Sequence, residues 1–321
     1  MIASLPRGPG SVIVAIALCL AVPASAQMTL RVGKASATSD AIIPVNVGDE
    51  LGIFRKHGLD LKIIDFGGGS KMAQAMAASA LDIGDGAGTE MAFVAKGAPM
   101  IAVCESTAPA PFLGVGVPWD SAIKSLADLK GKVIGVSSPG SFSDWSAYEL
   151  ARKEDWGGNG VTTVGIGGGT APMLAALRTH QVDAAIGNTS QFLAFEETKD
   201  ARFLAPVSSY EGNVASGALY ASNALVASHP DAIRAFVAGW IETVDYMRAH
   251  KAETVKIESG VNQFDEAVMS REYDLTIGMF TKDCRFDADS LATLKRSFRE
   301  TRLVEGEPDM AKLFTEAYLP K

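Results

Sequence analysis

The chain has 321 residues and a formal charge of −8 at pH 7, with 47% of its residues hydrophobic against 21% charged. That acidic balance excludes a surface built to hold phosphates, which would demand clustered Lys and Arg, so nucleic acid is not expected as a partner. The length suits one large or two medium domains, enough to bury a sizeable core.

The first residues decide the compartment. Arg7 gives a short positive region, Ser11 to Val22 is an almost unbroken apolar run, and Ala24-Ser25-Ala26 after Pro23 presents small residues in the A-x-A arrangement. This is the pattern of a secretory signal peptide spanning 1–26, cleaved after Ala26 to leave a mature chain beginning at Gln27. A membrane anchor is the alternative, but about a dozen residues at about 1.5 Å each fall short of about 30 Å of hydrocarbon. Lipid attachment at Cys19 is disfavoured by Leu18, which stands where lipoprotein processing wants a small residue. Two cysteines remain after cleavage, Cys104 and Cys284. They could pair in an oxidising compartment, but they form no disulfide framework, and two buried small hydrophobes is the preferred reading.

Thr29 to Lys34 alternates as a strand with Leu30 and Val32 on one face, and Ser36 to Asp40 follows as a polar loop. Pro44 to His57 then has the spacing of a helix stopped by Gly58, and Leu59 to Phe66 alternates again. Gly67-Gly68-Gly69-Ser70 makes a turn, with Ser70 predicted as N-cap of an Ala-rich helix from Lys71 to Ala80. Short strands alternating with helices imply an α/β fold with a largely parallel sheet.

The pattern occurs twice. GGGSKMAQAMAASALDIG begins at Gly67 and GGGTAPMLAALRTHQVDAAIG at Gly167, each a triple glycine, a hydroxyl residue, an Ala/Met/Leu helix, an acidic residue and a short strand. Upstream, Val32-Gly33 leads to a Ser/Thr loop ending at Asp40, and Val133 to Val136 leads to Ser137 through Asp144. An ordered series of this length implies two lobes of similar build. Pro109, Pro111 and Pro118 flank the entry to the second lobe, and Gly212 and Gly217 flank the return. Asp231 to His250, started by Ser228 and Pro230, and amphipathic segments to Leu319 are then expected to pack back on the first lobe.

Ligands of open α/β sheets bind beyond the carboxyl ends of the strands, where loops turn into helices. Here those loops are rich in Gly, Ser and Thr, which let backbone N–H groups and helix N-termini approach a small molecule. Single loops of this kind are often mere turns and caps; the matched set in two lobes favours a binding cleft. The candidate ligand-binding residues are Ser36, Thr38, Ser39 and Asp40, Gly68, Gly69 and Ser70, with Gly88, Thr89 and Ser106 in the first lobe. The second lobe supplies Ser138, Ser141, Trp145, Gly169, Thr170, Asn188 and Gln191. Ser141 and Thr38 are expected to donate to the ligand's polar end while Trp145 covers its flat face.

Enzyme readings fare worse, and no catalytic residue, metal ligand or cofactor is assigned. His57, His180, His229 and His250 lie away from these loops without His-x-x-x-His or Glu-x-x-His partners, and no G-x-S-x-G occurs. The run Gly165 to Thr170 approximates a dinucleotide fingerprint but has Thr170 where the last glycine belongs. Asp40 and Asp144 could pair across the cleft, although helix capping explains each more simply.

A series of short motifs runs in order through the chain: Gly52-Ile53-Phe54, His57-Gly58-Leu59-Asp60, Ala80-Leu81-Asp82-Ile83-Gly84 and Lys96-Gly97-Ala98-Pro99. Ser125 to Lys132 leading into Ile134-Gly135-Val136, Gln181-Val182-Asp183-Ala184 and His229-Pro230-Asp231 complete it. The sequence resembles the periplasmic binding proteins of type II fold, in the SsuA/THI5-like (NMT1-like) group related to sulfonate, nitrate and thiamine-precursor binders. The resemblance implies two α/β lobes, each a mixed sheet flanked by helices: 27–111 with 213–321, and 112–212. It places two hinge crossovers near Cys104 to Val117 and Glu211 to Tyr220. It also implies a monomer in the periplasm that delivers a ligand to the separate permease and ATPase subunits of an ABC importer. Enzymes of thiamine-precursor synthesis share the fold but carry a cysteine-rich motif that is absent here.

The ligand is less legible. The candidate loops contain no arginine to clamp a carboxylate, although hydroxyls and helix N-termini could still hold a sulfonate or carboxylate. Phe66, Phe112, Phe142 and Trp145 could stack on an apolar or aromatic body, while Asp40, Asp85, Glu90, Glu105 and Asp144 leave room for an amine or heterocycle.

Overall fold

The structure is a computed structural model; it describes residue 1 and residues 27–157, 160–300 and 303–321. Apart from residue 1, the segment expected to be a signal peptide lies outside the described residues.

Among the described residues ten strands form two five-stranded sheets. The first holds β1 (Met28–Lys34), β2 (Leu59–Asp65), β3 (Ile83–Gly86), β4 (Met100–Thr107) and, from far along the chain, β10 (Gly217–Ser222). The second holds β5 (Leu113–Pro118), β6 (Val133–Val136), β7 (Thr162–Gly165), β8 (Ala184–Asn188) and β9 (Ala201–Pro206). Their orders are β2-β1-β3-β10-β4 and β7-β6-β8-β5-β9, the same arrangement built twice. In each, four strands run the same way and one, β10 or β5, runs antiparallel between two of them. The sheets are thus mixed rather than largely parallel, because each takes one strand after the chain has crossed from the other. The crossovers run from β4 to β5 and from β9 to β10.

The strands form where apolar residues alternate or run unbroken. Leu30 and Val32 of β1 are fully buried, as are Val115 and Val117 of β5. Several helices differ in detail from the sequence reading. The helix expected over Pro44 to His57 is broken: Pro44–Glu50 and Ile53–Lys56 are separated at Gly52, whose φ of 70° only glycine adopts without strain. The Ala-rich helix is Gly69–Ala77, and its N-cap is Gly68 at φ 141°, not Ser70. Ser70 sits inside the first turn, where its hydroxyl donates to Pro139 O at 3.0 Å.

The C-terminal helices do more than cover the first sheet. Pro230–Ala249 packs on Pro44–Glu50 and Ile53–Lys56, as expected. Helix Glu266–Thr276, however, packs on Thr189–Glu197 of the second sheet's layer, where Glu272 Oε1 accepts from Ser190 N at 3.0 Å. Arg296 of helix Ala288–Glu300 likewise reaches Glu149 at 3.1 Å, on helix Phe142–Lys153.

The cysteines also correct the sequence reading. Cys104 and Cys284 are disulfide-bonded across 180 residues of sequence, with Cα atoms 4.5 Å apart. Sequence distance does not show this proximity; Glu105 N donating to Cys284 O at 3.0 Å lays the later segment against β4. Among the described residues no helix is long and apolar enough to cross a membrane, and no group of three or more His, Cys, Asp or Glu could hold a metal ion.

Candidate functional site

The carboxyl ends of β1, β2 and β3 face those of β6, β7 and β8 across a cleft, and the loops that leave them meet. Asn188 Nδ2, at the end of β8, donates to Thr38 O at 2.6 Å and Thr38 Oγ1 at 3.3 Å. Gly68 lies so close to Ser138 that a Cβ there would come within 2.5 Å of its hydroxyl. Between these contacts lies a cavity of about 80 Å³. One water needs roughly 10–15 Å³ by the same measure, so the space suits a small solute.

Of the residues expected to bind, Ser36, Ser39, Gly68, Gly69, Ser141 and Asn188 line this cavity. Thr38 stands one step back, bonded to Asn188. Ser70 and Ser138 serve the contact between the two layers, and Gly88 N donates to Ala215 O at 3.2 Å. Thr89 and Ser106 are fully buried and absent from the wall. Gly169 and Thr170 open helix Thr170–Arg178, with Gln191 Nε2 donating to Thr170 Oγ1 at 3.3 Å.

Two expectations require correction. Trp145 is 2% exposed and lies in the core rather than on the cavity wall, its ring centroid 5.1 Å from that of Phe142. Phe142 opens the helix and reaches the cavity; three residues later the side chain faces inward. Asp40 is neither an N-cap nor one half of a pair with Asp144. It begins the short helical turn Asp40–Ile42 and is buried against Asn262, whose amide donates to it at 3.2 Å, and against Glu272. Burial pushes the carboxyls of Asp40, Glu258 and Glu272 upward. Asp144 is not the N-cap either: Ser141 is, its Oγ accepting from Asp144 N at 3.4 Å, while the Asp144 carboxylate, inside the first turn, accepts from Gly140 N at 2.7 Å.

The wall also holds two of the rings offered for stacking, Phe112 and Phe142, and residues outside the candidate set. Phe112 and Phe142 lie nearly parallel with centroids 6.4 Å apart, giving an apolar flank. Ser137, Ser141 and Ser143 form a triangle of hydroxyls, 3.0–3.1 Å apart, at the start of helix Phe142–Lys153. Ser216, brought in by the second crossover, and Met173 and Ile186 carry no sequence signal.

Glu90 is the charged group on the wall. Its Oε2 accepts from Ala87 N at 2.7 Å. Burial pushes its carboxyl up to about 7, against the pull of hydrogen bonds from nearby backbone. Among the described residues lining the cavity, none is Lys, Arg or His.

Known proteins resemble this chain along most of its length. A protein of Brucella abortus (strain 2308), whose name assigns it provisionally to the binding proteins, is 26% identical over 238 residues, 70% of this chain and 69% of its own. A solved protein of Bordetella bronchiseptica RB50 superposes with a TM-score of 0.78 at 26% identity, covering 91% of this chain and 96% of that one. The alkanesulfonate-binding protein SsuA from Xanthomonas axonopodis pv. citri, bound to MOPS, shares the fold at a TM-score of 0.73 and 19% identity, over 91% and 99% of the two chains. The desulfurization enzyme DszB shares it too, at 0.67 and 16%, over 91% and 97%. The two mixed sheets flanked by helices are thus those of the periplasmic binding-protein fold. The family model described as NMT1/THI5 like matches residues 40–254, and the chain belongs to that family.

Proposed function

We propose that this chain captures a small organic solute between its two lobes and delivers it to the permease and ATPase subunits of an ABC importer. The lobes are 27–111 with 213–321, and 112–212; the protein acts as a periplasmic monomer after cleavage behind Ala26, and it is not an enzyme. The observation that carries this reading is one cavity walled by equivalent loops of both sheets, beneath hydrogen bonds that join the two sides. The ligand's apolar or aromatic body fits the flank of Phe112 and Phe142. An acceptor group, such as a sulfonate or carboxylate, suits the serine triangle, whose hydroxyls stand at a helix N-terminus.

Denaturing the purified protein and identifying the released small molecule by mass tests this. That molecule, added back at a hundredfold excess over Kd, should stabilise the fold by roughly 2.7 kcal/mol, make it more compact in small-angle scattering, and be recovered unchanged. Steady conversion to product would replace capture with catalysis.

A further inference from the structure

The repeat places an internal comparison beside the cavity. In the second lobe Gln191 Oε1 accepts from Asn188 N at 2.9 Å, three residues back at the end of β8. In the first lobe Glu90 does the same for Ala87 N at the end of β3. One helix entry is thus closed by a neutral amide and its counterpart by a carboxylate, so closing the turn does not require the charge. The remaining ends of the two side chains differ as well. Gln191 Nε2 donates to Gly168 O at 3.3 Å and Thr170 Oγ1 at 3.3 Å, and Gln191 is not on the cavity wall. Glu90 is on the wall, and its Oε1 lies against Gly69, where a Cβ would come within 1.7 Å. On the other side Gly86 gives ordinary contact, a Cβ there falling 3.4 Å from Oε2 and 2.7 Å from Met72 Cε. Gly69 therefore makes room for a buried carboxylate beside a cavity that has no cationic side chain among its described lining residues.

We propose that Glu90 is the specificity-determining residue of this cavity and that the ligand presents to it a positively charged nitrogen, an ammonium or amidinium. The assignment rests on solute capture as proposed above and adds a second pole to the ligand, on the other lobe from the serine triangle. A buried carboxylate gains little from a neutral apolar neighbour and much from a charged N–H donor, because low polarity strengthens the pair.

The test uses two probes that differ in one group, 4-(aminomethyl)benzoate and 4-methylbenzoate, titrated calorimetrically into the mature protein and its Glu90→Gln variant. Glutamine at position 90 keeps the acceptor for Ala87 N, as Gln191 does for Asn188 N, and unfolding curves check that the variant folds. The wild type should prefer the ammonium probe, and Glu90→Gln should weaken that probe by about ten- to a hundredfold while sparing the methyl probe. Tyr220 of β10 is the titratable group that faces Glu90. In the wild type, affinity for the ammonium probe should fall about tenfold per pH unit below about 7, as the carboxylate takes up a proton. Equal binding of the two probes, preference for the methyl probe, or a preference unchanged in Glu90→Gln overturns the assignment of Glu90 while solute capture stands. Failure of both probes also overturns it, and a co-purified molecule then decides the capture reading separately.

Discussion

Replacing Trp145 by alanine distinguishes a side chain that grips a ligand from one that fills the core. Trp145 is 2% exposed, and Ala147 and Leu150 on the same helix are fully buried, so truncation leaves a hole that its neighbours can only partly close. Removing a large aromatic from such a site costs about 3–5 kcal/mol. At about 2–4 °C per kcal/mol for a chain of this order, the unfolding midpoint should drop by roughly 6–20 °C. Thermal and urea unfolding measure that loss. Titration with the co-purified ligand, at a temperature where wild type and variant are both folded, should give similar affinities. Phe142→Ala provides the contrast, because that ring lines the cavity and its loss should weaken binding directly. A Trp145→Ala protein that keeps the wild-type midpoint but loses affinity would refute the placement of Trp145 in the core.

Asp40, Glu258 and Glu272 all have carboxyls raised by burial, so the folded chain holds protons that the unfolded chain releases. Their contribution is full below about pH 4, where free carboxylates are protonated, and is lost as pH rises through the raised values. Glu258→Gln should flatten the fall of stability with pH by up to about 1.4 kcal/mol per pH unit, measured by urea unfolding at a series of pH values; an unchanged slope would count against it. Replacing Cys104 and Cys284 together by serine releases a loop of 180 residues, worth up to about 5 kcal/mol by chain entropy. Reductant should lower the midpoint of the wild type and leave that of the double variant alone.

Part of the candidate site was legible because its chemistry constrains residue type. Gly68 and Gly69 admit close approach of Ser138 and Glu90, and such positions announce themselves as a glycine run. The repeat likewise marks the equivalent loops of the two sheets. What escaped the sequence depends on which way a side chain points. Phe142 and Trp145 are both aromatic and three residues apart, and only the position of their helix on the sheet decides that one meets the cavity and the other the core. Glu90 stood among several acids, and nothing in its neighbours says that it alone reaches the wall. Ser216 and the contact of Glu272 with Ser190 arise where distant segments are brought together, which local periodicity does not encode.

The exchange of strands between the sheets also sets an order of assembly. β5 to β9 occupy consecutive stretches from Leu113 to Pro206, so the second sheet has all its strands before the chain returns. The first sheet does not: β4 reaches β3 only through β10, which is made last. Until residues 217–222 emerge, β3 and β4 carry open edges of the kind that invite pairing with other chains. A chain stopped after Pro206 would hold one finished sheet beside another split in two, and its open edges expose it to aggregation during synthesis.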